Sequence, residues 1–380
     1  MSAAAAPLKV LHVTAVESSN YYLNNLARFT PRERVQFFAV TLGRRSTFVA
    51  DLEALGVKAW ALDAASRRSY PRALAKLCAI VREEGIDLLH LHLFEPTLLG
   101  LVAARRTRRP ALVTRHHSDA IHRLPRGLKR QAYTALERWI GRRAVHIVAP
   151  SRRVREVLLA EGTDAGKVSI IPYGQTADRF EATRQEDPRH LRQKLGMGTP
   201  ALVCVSRLHP EKGHRVLLEA FARVRQDQPA ATLTLVGTGP ERDALAAEVS
   251  ALALQGAVHF LGWRDDALAI MWAADLVVHP SLHEALPSAV IEAIMLGRPT
   301  VASDVSGVRD ILGDGEYGQV VTPGDADALR VALETGLGAL DEARARAERG
   351  RLHVGRYMDA SRVAAEYLAL YEAVAARGAA

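Results

Sequence analysis

Cysteine is nearly absent: only Cys78 and Cys204 occur in 380 residues, each alone on an apolar segment. This excludes a disulfide-stapled domain and a cysteine metal site, and fits reduced core thiols in a cytoplasmic protein. Aromatic residues are few, at 6%. No apolar run reaches membrane-spanning length; the best, Leu98 to Ala104, is far too short. The opening MSAAAAP has no basic region followed by an apolar core, so no secretory signal is expected. Low-complexity tracts and solenoid-type repeats are lacking too.

What remains is ordinary globular material, 48% hydrophobic and 24% charged. A length of 380 residues suits two domains with separate cores. The balance is basic, 50 Lys+Arg against 42 Asp+Glu, which suits an anionic ligand, an anionic membrane face or nucleic acid. Short apolar strand patterns alternate with amphipathic helix patterns from Lys9 to Ile171, and again from Ala201 to Val321. Such alternation predicts α/β architecture with two doubly wound parallel sheets. Residues 183–199 are polar and carry Pro188, Gly196 and Gly198, which predicts a linker region. The expected division is therefore 1–182, a linker at 183–199, 200–359, and a final helix at 360–380.

The most informative stretch runs from His283 to Ser303. Leu276 to His279 reads as a buried strand, Glu284 to Pro287 as a loop, and Ser288 as the cap of a helix bearing Val290, Ile291, Ile294 and Met295. Gly297 and Pro299 end that helix before another strand. Ligands of parallel α/β sheets sit at the C-terminal strand ends, and helix-start N–H groups favour an anion there. Glu284 and Glu292 flank this helix start. Carboxylates there would accept from sugar or ribose hydroxyls rather than bind the anion, although this window alone reads first as two solvated glutamates on a surface helix.

Three further stretches belong with it. In SRLHPEKGH, Arg207 and Lys212 share a loop after a strand, where two cations can clamp a diphosphate. In VGTGPER, Gly237 opens a glycine turn that fails as a dinucleotide fingerprint, because Arg242 replaces the third glycine. HFLGWRDD, with Trp263, ends a strand suited to backbone contact with a base.

Together these resemble the retaining glycosyltransferases of the large GT-B family that carries an E-x7-E motif, here Glu284 to Glu292. The resemblance spans nearly the whole chain and implies a GT-B fold, two Rossmann-like domains facing a cleft. It implies that a sugar moves from a nucleoside-diphosphate sugar to a hydroxyl acceptor, lipid-linked or saccharide, in glycolipid, polysaccharide or other glycoconjugate synthesis. Arg207 and Lys212 would neutralise the leaving diphosphate, Glu284 would face the donor sugar, and Glu292 would hold ribose hydroxyls. Gly237, Trp263, Ala285, Leu286, Ser288 and Ala289 would line the donor site. VTRHHSD resembles the family segment that ends in a histidine near the anomeric carbon, at His116, with His117 beside it. Ser18, Asn20, His92 and His117 fall on the acceptor side. The final helix would pack back on the first domain.

Retention implies attack on the face of departure, with the leaving phosphate taking the proton. No cofactor and no metal are expected; the D-x-D at Asp325 and Asp327 fits a helix N-cap better than a metal site. The sequence departs from the family at Ser18–Asn20, where relatives carry a glycine pair, at Tyr173 and Thr176, and at 306–310. His90 and His92 share a strand face, but the sequence shows no third ligand beside them, so lining or packing roles are expected. Arg105, Arg106, Arg108, Arg109, Arg123, Arg126, Lys129 and Arg130 read first as a solvated face and second as a peripheral contact with an anionic membrane at its inner side. Two alternatives are a sugar-nucleotide epimerase, which lacks the paired Arg207/Lys212 and Glu284/Glu292 pattern, and a basic nucleic-acid-binding module. No nucleic-acid recognition motif is present, and no such partner is expected.

Overall fold

The computed structural model describes residues 6–64, 66–116 and 127–379. His117, Arg123 and Arg126 lie outside the described residues. In chain order the first run is β1 (Leu8–Thr14), α1 (Tyr21–Phe29), β2 (Val35–Thr41), α2 (Thr47–Ala54), β3 (Lys58–Ala61), α3 (Tyr70–Glu83), β4 (Leu88–His92), α4 (Phe94–Thr107), β5 (Ala111–Thr114), α5 (Leu128–Arg143), β6 (His146–Ala149), α6 (Arg152–Ala160) and β7 (Val168–Ile170). The second is α7 (Asp178–Arg184), α8 (Pro188–Lys194), β8 (Ala201–Val205), α9 (His214–Asp227), β9 (Thr232–Val236), α10 (Arg242–Ala251), β10 (Val258–Gly262), α11 (Ala267–Ala273), β11 (Leu276–His279), α12 (Ser288–Met295), β12 (Thr300–Ser303), α13 (Val308–Leu312), β13 (Gln319–Val321), α14 (Ala326–Gly338) and α15 (Leu340–Tyr357). The chain closes with α16 (Ala360–Ala379).

These elements form two compact units, Met1–Gln175 with Met358–Ala380, and Thr176–Tyr357. In the first, seven parallel strands run β3-β2-β1-β4-β5-β6-β7. In the second, six parallel strands run β10-β9-β8-β11-β12-β13. Both are doubly wound Rossmann-like sheets, as the alternating sequence pattern predicts. The strands are apolar runs because helices cover both faces of a parallel sheet.

Each unit has its own core. The first is built on Val10, Leu23, Leu26, Leu88, Leu112 and Val148, and α16 adds Val363, Tyr367 and Tyr371 to it. The second is built on Leu202, Leu217, Phe221, Leu233, Val278, Val301 and Leu333. Cys78 and Cys204 are free and buried. No helix among the described residues is long and apolar enough to cross a membrane.

Caps fix the starts of several helices. Asn20 Oδ1 accepts from Leu23 N at 3.0 Å to start α1, Ser151 starts α6, and Asp325 starts α14 by accepting from Ala328 N at 2.8 Å. Ser288 does not cap α12. Pro287 occupies the cap position, and Ser288 is the first helical residue, with no side-chain cap bond. Residues 183–199, expected as a linker, form the end of α7, α8 and the turn into β8, all within the second unit. Pro188 sits at the first position of α8 and Asp187 caps it, so that proline starts a helix instead of breaking one. Arg192 of α8 then reaches Asp275 Oδ2 at 2.9 Å. The five-residue α13 is too short to leave a periodic signal and is bracketed by Gly307 and Gly313, both at positive φ.

Candidate functional site

In the second unit β8 and β11 are neighbours, with Val277 opposite Val203. Their following loops, 206–213 and 280–287, therefore emerge side by side at the C-terminal edge of the sheet. The approach is close: a Cβ on Gly213, at φ +68°, would lie 2.1 Å from the Pro280 carbonyl oxygen. Leu282 N donates to Glu211 O at 2.8 Å and ties the loops together.

This juxtaposition brings Lys212 and Glu284 into a nearly buried ion pair. Ser281 Oγ and His279 Nε2 reach the same oxygen, Glu284 Oε1, at 3.0 and 3.1 Å. Burial alone would raise the Glu284 carboxyl. The His279 hydrogen bond and the charges of His279 and Lys212 outweigh that effect and hold it at about 2. His214, at the start of α9, bonds Ser206 through Nε2 at 3.0 Å; burial first, then His279 and Lys212, push it down to about 4.

Arg207 stands on the same loop as Lys212 but is mostly exposed, touching Glu211 at 3.2 Å. Glu292 lies on α12 and meets Arg179 Nη2 at 3.1 Å. Burial raises the Glu292 carboxyl, and Arg179 opposes this without cancelling it. Ala285, Leu286 and Ala289 are buried, while Ser288 is exposed at the start of α12, where helix N–H groups lack intrahelical partners. Gly237 follows β9 at φ +139°, and a Cβ there would lie 2.0 Å from Ser206 O, so only glycine fits. Trp263 is 75% exposed beyond β10, with its indole N–H on Asp265 at 3.1 Å. The structure thus gathers Arg207, Lys212, Gly237, Glu284 and the 285–289 segment on loops and a helix start at one sheet edge.

The first unit gathers a different set. His92 ends β4 and His116 follows β5; His92 Nδ1 and His116 Nε2 are 3.1 Å apart. The sequence shows no third histidine beside His90 and His92, but the fold supplies one. His12 on β1 lies in register with His90, and ring nitrogens of His12, His90 and His92 fall within 4.8 Å of one another. Asn20 is committed to its cap, and Ser18 is exposed in the loop before α1. Beside His116, Arg115 is buried between Glu137, at 3.5 Å, and Glu161, whose Oε1 it reaches at 3.0 Å.

Sequence reasoning missed Arg179, His279, Ser281, His12 and Tyr22. HPS before the Glu284 loop carried a signal for His279 and Ser281, since strand-end polar residues face the ligand edge. His12 could have been found by pairing the first strand with the fourth, as a doubly wound order does.

Comparison with known proteins places both halves. Residues 19–179 match the family described as Glycosyltransferase Family 4, and residues 199–338 match Glycosyl transferases group 1. The chain is 32% identical to 2-deoxystreptamine glucosyltransferase of Streptomyces kanamyceticus over 68% of this chain and 70% of that protein. It is 32% identical to phosphatidyl-myo-inositol mannosyltransferase of Mycobacterium tuberculosis over 77% of this chain and 75% of that protein. In fold it resembles Anabaena HepE in complex with UDP-glucose, with TM-score 0.80, 22% identity, and coverage of 95% and 99% of the two chains. Sucrose-phosphate synthase of Thermosynechococcus elongatus gives TM-score 0.80, 22% identity, and coverage of 97% and 100%.

Proposed function

The chain belongs to the group 1, family 4 glycosyltransferases of GT-B fold and depends on a nucleotide sugar, and we propose that the sheet edge built from Arg207, Lys212, Glu284 and α12 is its donor site. The epimerase and nucleic-acid readings lose their ground with that membership. The observation that carries the proposal is the convergence of Lys212, His279 and Ser281 on Glu284 Oε1 beside the start of α12. It places cation, carboxylate and helix N–H groups within one small region.

The transfer breaks the bond between the anomeric carbon and the phosphate oxygen and forms one to the acceptor oxygen. Negative charge grows on the diphosphate and positive charge on the sugar ring. Lys212 and Arg207 meet the first; Arg207 is available because an exposed pair such as Arg207–Glu211 holds it weakly. Glu284 stays ionised at neutral pH and faces the sugar, accepting from its hydroxyls. Glu292 accepts from ribose hydroxyls, and backbone N–H groups of 285–289 serve sugar and phosphate. His116 of the first unit, by its match to the family segment, is assigned a role in handling the donor sugar. The incoming hydroxyl attacks on the face of departure, and its proton passes to the leaving phosphate, so configuration is retained without a side-chain base. The two cations supply the positive charge, and no metal is required.

The acceptor is a hydroxyl on a lipid-linked or saccharide molecule; the phosphatidyl-myo-inositol named for the mycobacterial relative supports the lipid class. Enzyme and acceptor meet at an anionic membrane face through α5, which carries Lys129, Arg130, Arg138, Arg142 and Arg143, with Leu128 85% exposed at its start.

A turnover screen against UDP-, GDP- and ADP-sugars identifies the donor. Arg207→Ala and Lys212→Ala should each lower kcat/KM at least ~100-fold, the scale of one lost electrostatic contact to a transition state. Near-normal turnover in both variants, with an active wild type, would remove this site from the mechanism.

A further inference from the structure

We propose that His279 is a positioning residue for the transfer, holding Glu284 in place through its Nε2–H while the donor diphosphate draws Lys212 away. The use in the transfer rests on the donor-site reading; the hydrogen bond itself rests on geometry and carboxylate chemistry.

The three partners of Glu284 Oε1 differ in their freedom to move. Lys212 closes the single helical turn Pro210–Lys212 and reaches the carboxylate on a flexible four-carbon stem. His279 is the last residue of β11, paired with Ala302 of β12, and its side chain is almost wholly buried. Its bond to Oε1, at 3.1 Å, therefore comes from the sheet itself. Ser281, fully buried two residues further on, adds a bond at 3.0 Å.

The direction of the His279 bond is fixed by its acceptor. An ionised carboxylate accepts and does not donate. Glu284, held at about 2, is ionised at neutral pH. Nε2 of His279 must therefore carry a proton. The other ring nitrogen, Nδ1, is buried and has no protein hydrogen-bond partner among the described residues. Val277 and Val278, the two preceding residues, fill the same buried strand without any polar side-chain atom. An imidazole with one unpaired nitrogen lowers stability there. What it adds in return is the one bond that Nε2 makes to Glu284.

Lys212 has two anions to serve. In this structure its charge lies against Glu284; in the transfer it faces the diphosphate. An ammonium is a compact point charge on a movable stem, so it turns towards the more highly charged group. A buried carboxylate whose cation turns away is strongly destabilised unless hydrogen bonds remain. Those from His279 and Ser281 remain, because neither donor depends on Lys212. They keep Glu284 aimed as the leaving group departs. Without His279 the carboxylate is free to follow the ammonium, and misplacing a group at a reacting centre lowers kcat more than donor affinity.

The competing reading gives His279 a packing role and leaves the orientation of Glu284 to Lys212. Turnover of the full chain with the nucleotide sugar separates the two. His279→Phe keeps a ring of similar size and removes the donor, whereas His279→Gln restores an N–H at similar reach. In folded His279→Phe, kcat should fall about tenfold with KM for the donor within about twofold, and His279→Gln should recover most of that loss. In a Glu284→Ala background, His279→Phe should change kcat by less than about twofold, because its effect passes through Glu284. An unchanged kcat in His279→Phe, an equal loss in the Phe and Gln variants, or the same loss in both backgrounds overturns the proposal. Nitrogen-15 NMR of the histidine-labelled wild type gives a readout that does not depend on the folding of His279→Phe, with the His279 signals assigned by their loss in His279→Gln. Nε2 should be protonated at neutral pH; an Nδ1–H tautomer with bare Nε2 overturns the bond. Wild-type turnover in Glu284→Ala would sink the donor-site reading and with it the use in the transfer. A crippled Glu284→Ala beside an unaffected His279→Phe would sink the positioning role alone.

Discussion

Replacing Glu284 by Gln tests the charged centre where its energy is largest. Three partners converge on one carboxylate oxygen, and they bring the group to about 2 against its ordinary 4.5 despite burial. The gap between those values is equivalent to ~3 kcal/mol of folding stability. The sign follows from its direction. The folded-state value is depressed, so the contribution is complete above the unfolded value near 4.5 and is lost as pH falls towards about 2. Glu284→Gln does not titrate and should lack this term.

Urea unfolding of wild type and Glu284→Gln at pH 7, 5 and 3.5 measures it. The wild-type advantage should be ~3 kcal/mol at pH 7, little changed at pH 5, and visibly smaller at pH 3.5. Lys212→Met and the double variant complete a cycle that removes the cost of leaving Lys212 beside a neutral amide. The coupling at pH 7 should lie in the range of ~1–3 kcal/mol for charges in contact. An advantage that does not vary with pH, or a coupling below ~0.5 kcal/mol, would refute an ionised, partner-stabilised Glu284.

Arg115→Met removes the buried guanidinium that reaches both Glu137 and Glu161 and should destabilise the chain, read by denaturant unfolding; unchanged stability would contradict the buried pair. Gly237→Ala places a side chain at φ +139° and 2.0 Å from Ser206 O, so backbone strain alone should cost ~1–3 kcal/mol, and wild-type stability in that variant would show the turn to be adaptable. On anionic vesicles at low salt the protein should co-sediment, and each basic residue near the surface adds ~1 kcal/mol. Replacing Lys129, Arg130, Arg138 and Arg142 by Gln should abolish binding; indifference of the wild type to such vesicles removes the membrane contact and leaves the transferase assignment standing.

The alternation of elements was legible because strands covered on both faces read as unbroken apolar runs and helices read at their own period. Arg207, Lys212, Glu284 and Glu292 were legible because each lies in a spaced motif. What the sequence concealed depends on neighbours far apart in the chain. Arg179 meets Glu292 from 113 positions away, and His12 meets His92 across 80. Such pairs follow from strand order and loop approach, and no local pattern encodes them. Ser288 misled because a serine before an apolar run is a strong cap signal, whereas Pro287, with its fixed φ, already supplied the non-helical entry. Pro188 misled in the opposite way, since the same residue type both breaks a helix and begins one.

The two units use opposite electrostatics at their strand ends, and that contrast constrains which of them can carry the chemistry. In the second unit Lys212 and Glu284 form a nearly buried ion pair, an arrangement that acts strongly on charge developing nearby. In the first, His12, His90 and His92 are fully buried and held neutral by that burial. A proton placed on those rings would be a buried charge with no carboxylate among its bonded partners, so the three histidines cannot serve as a store for the acceptor's proton. Under the proposed assignment, stabilising the departing diphosphate therefore falls to Lys212 and Arg207, and the first unit contributes orientation through neutral donors and acceptors. Orientation and charge separate kinetically. Loss of a cation in the second unit should lower kcat/KM for every acceptor tried, whereas loss of His92 or Tyr173 should change the ranking among acceptors. Equal losses across acceptors from both kinds of variant would show that the first unit, too, acts on the charge of the leaving group.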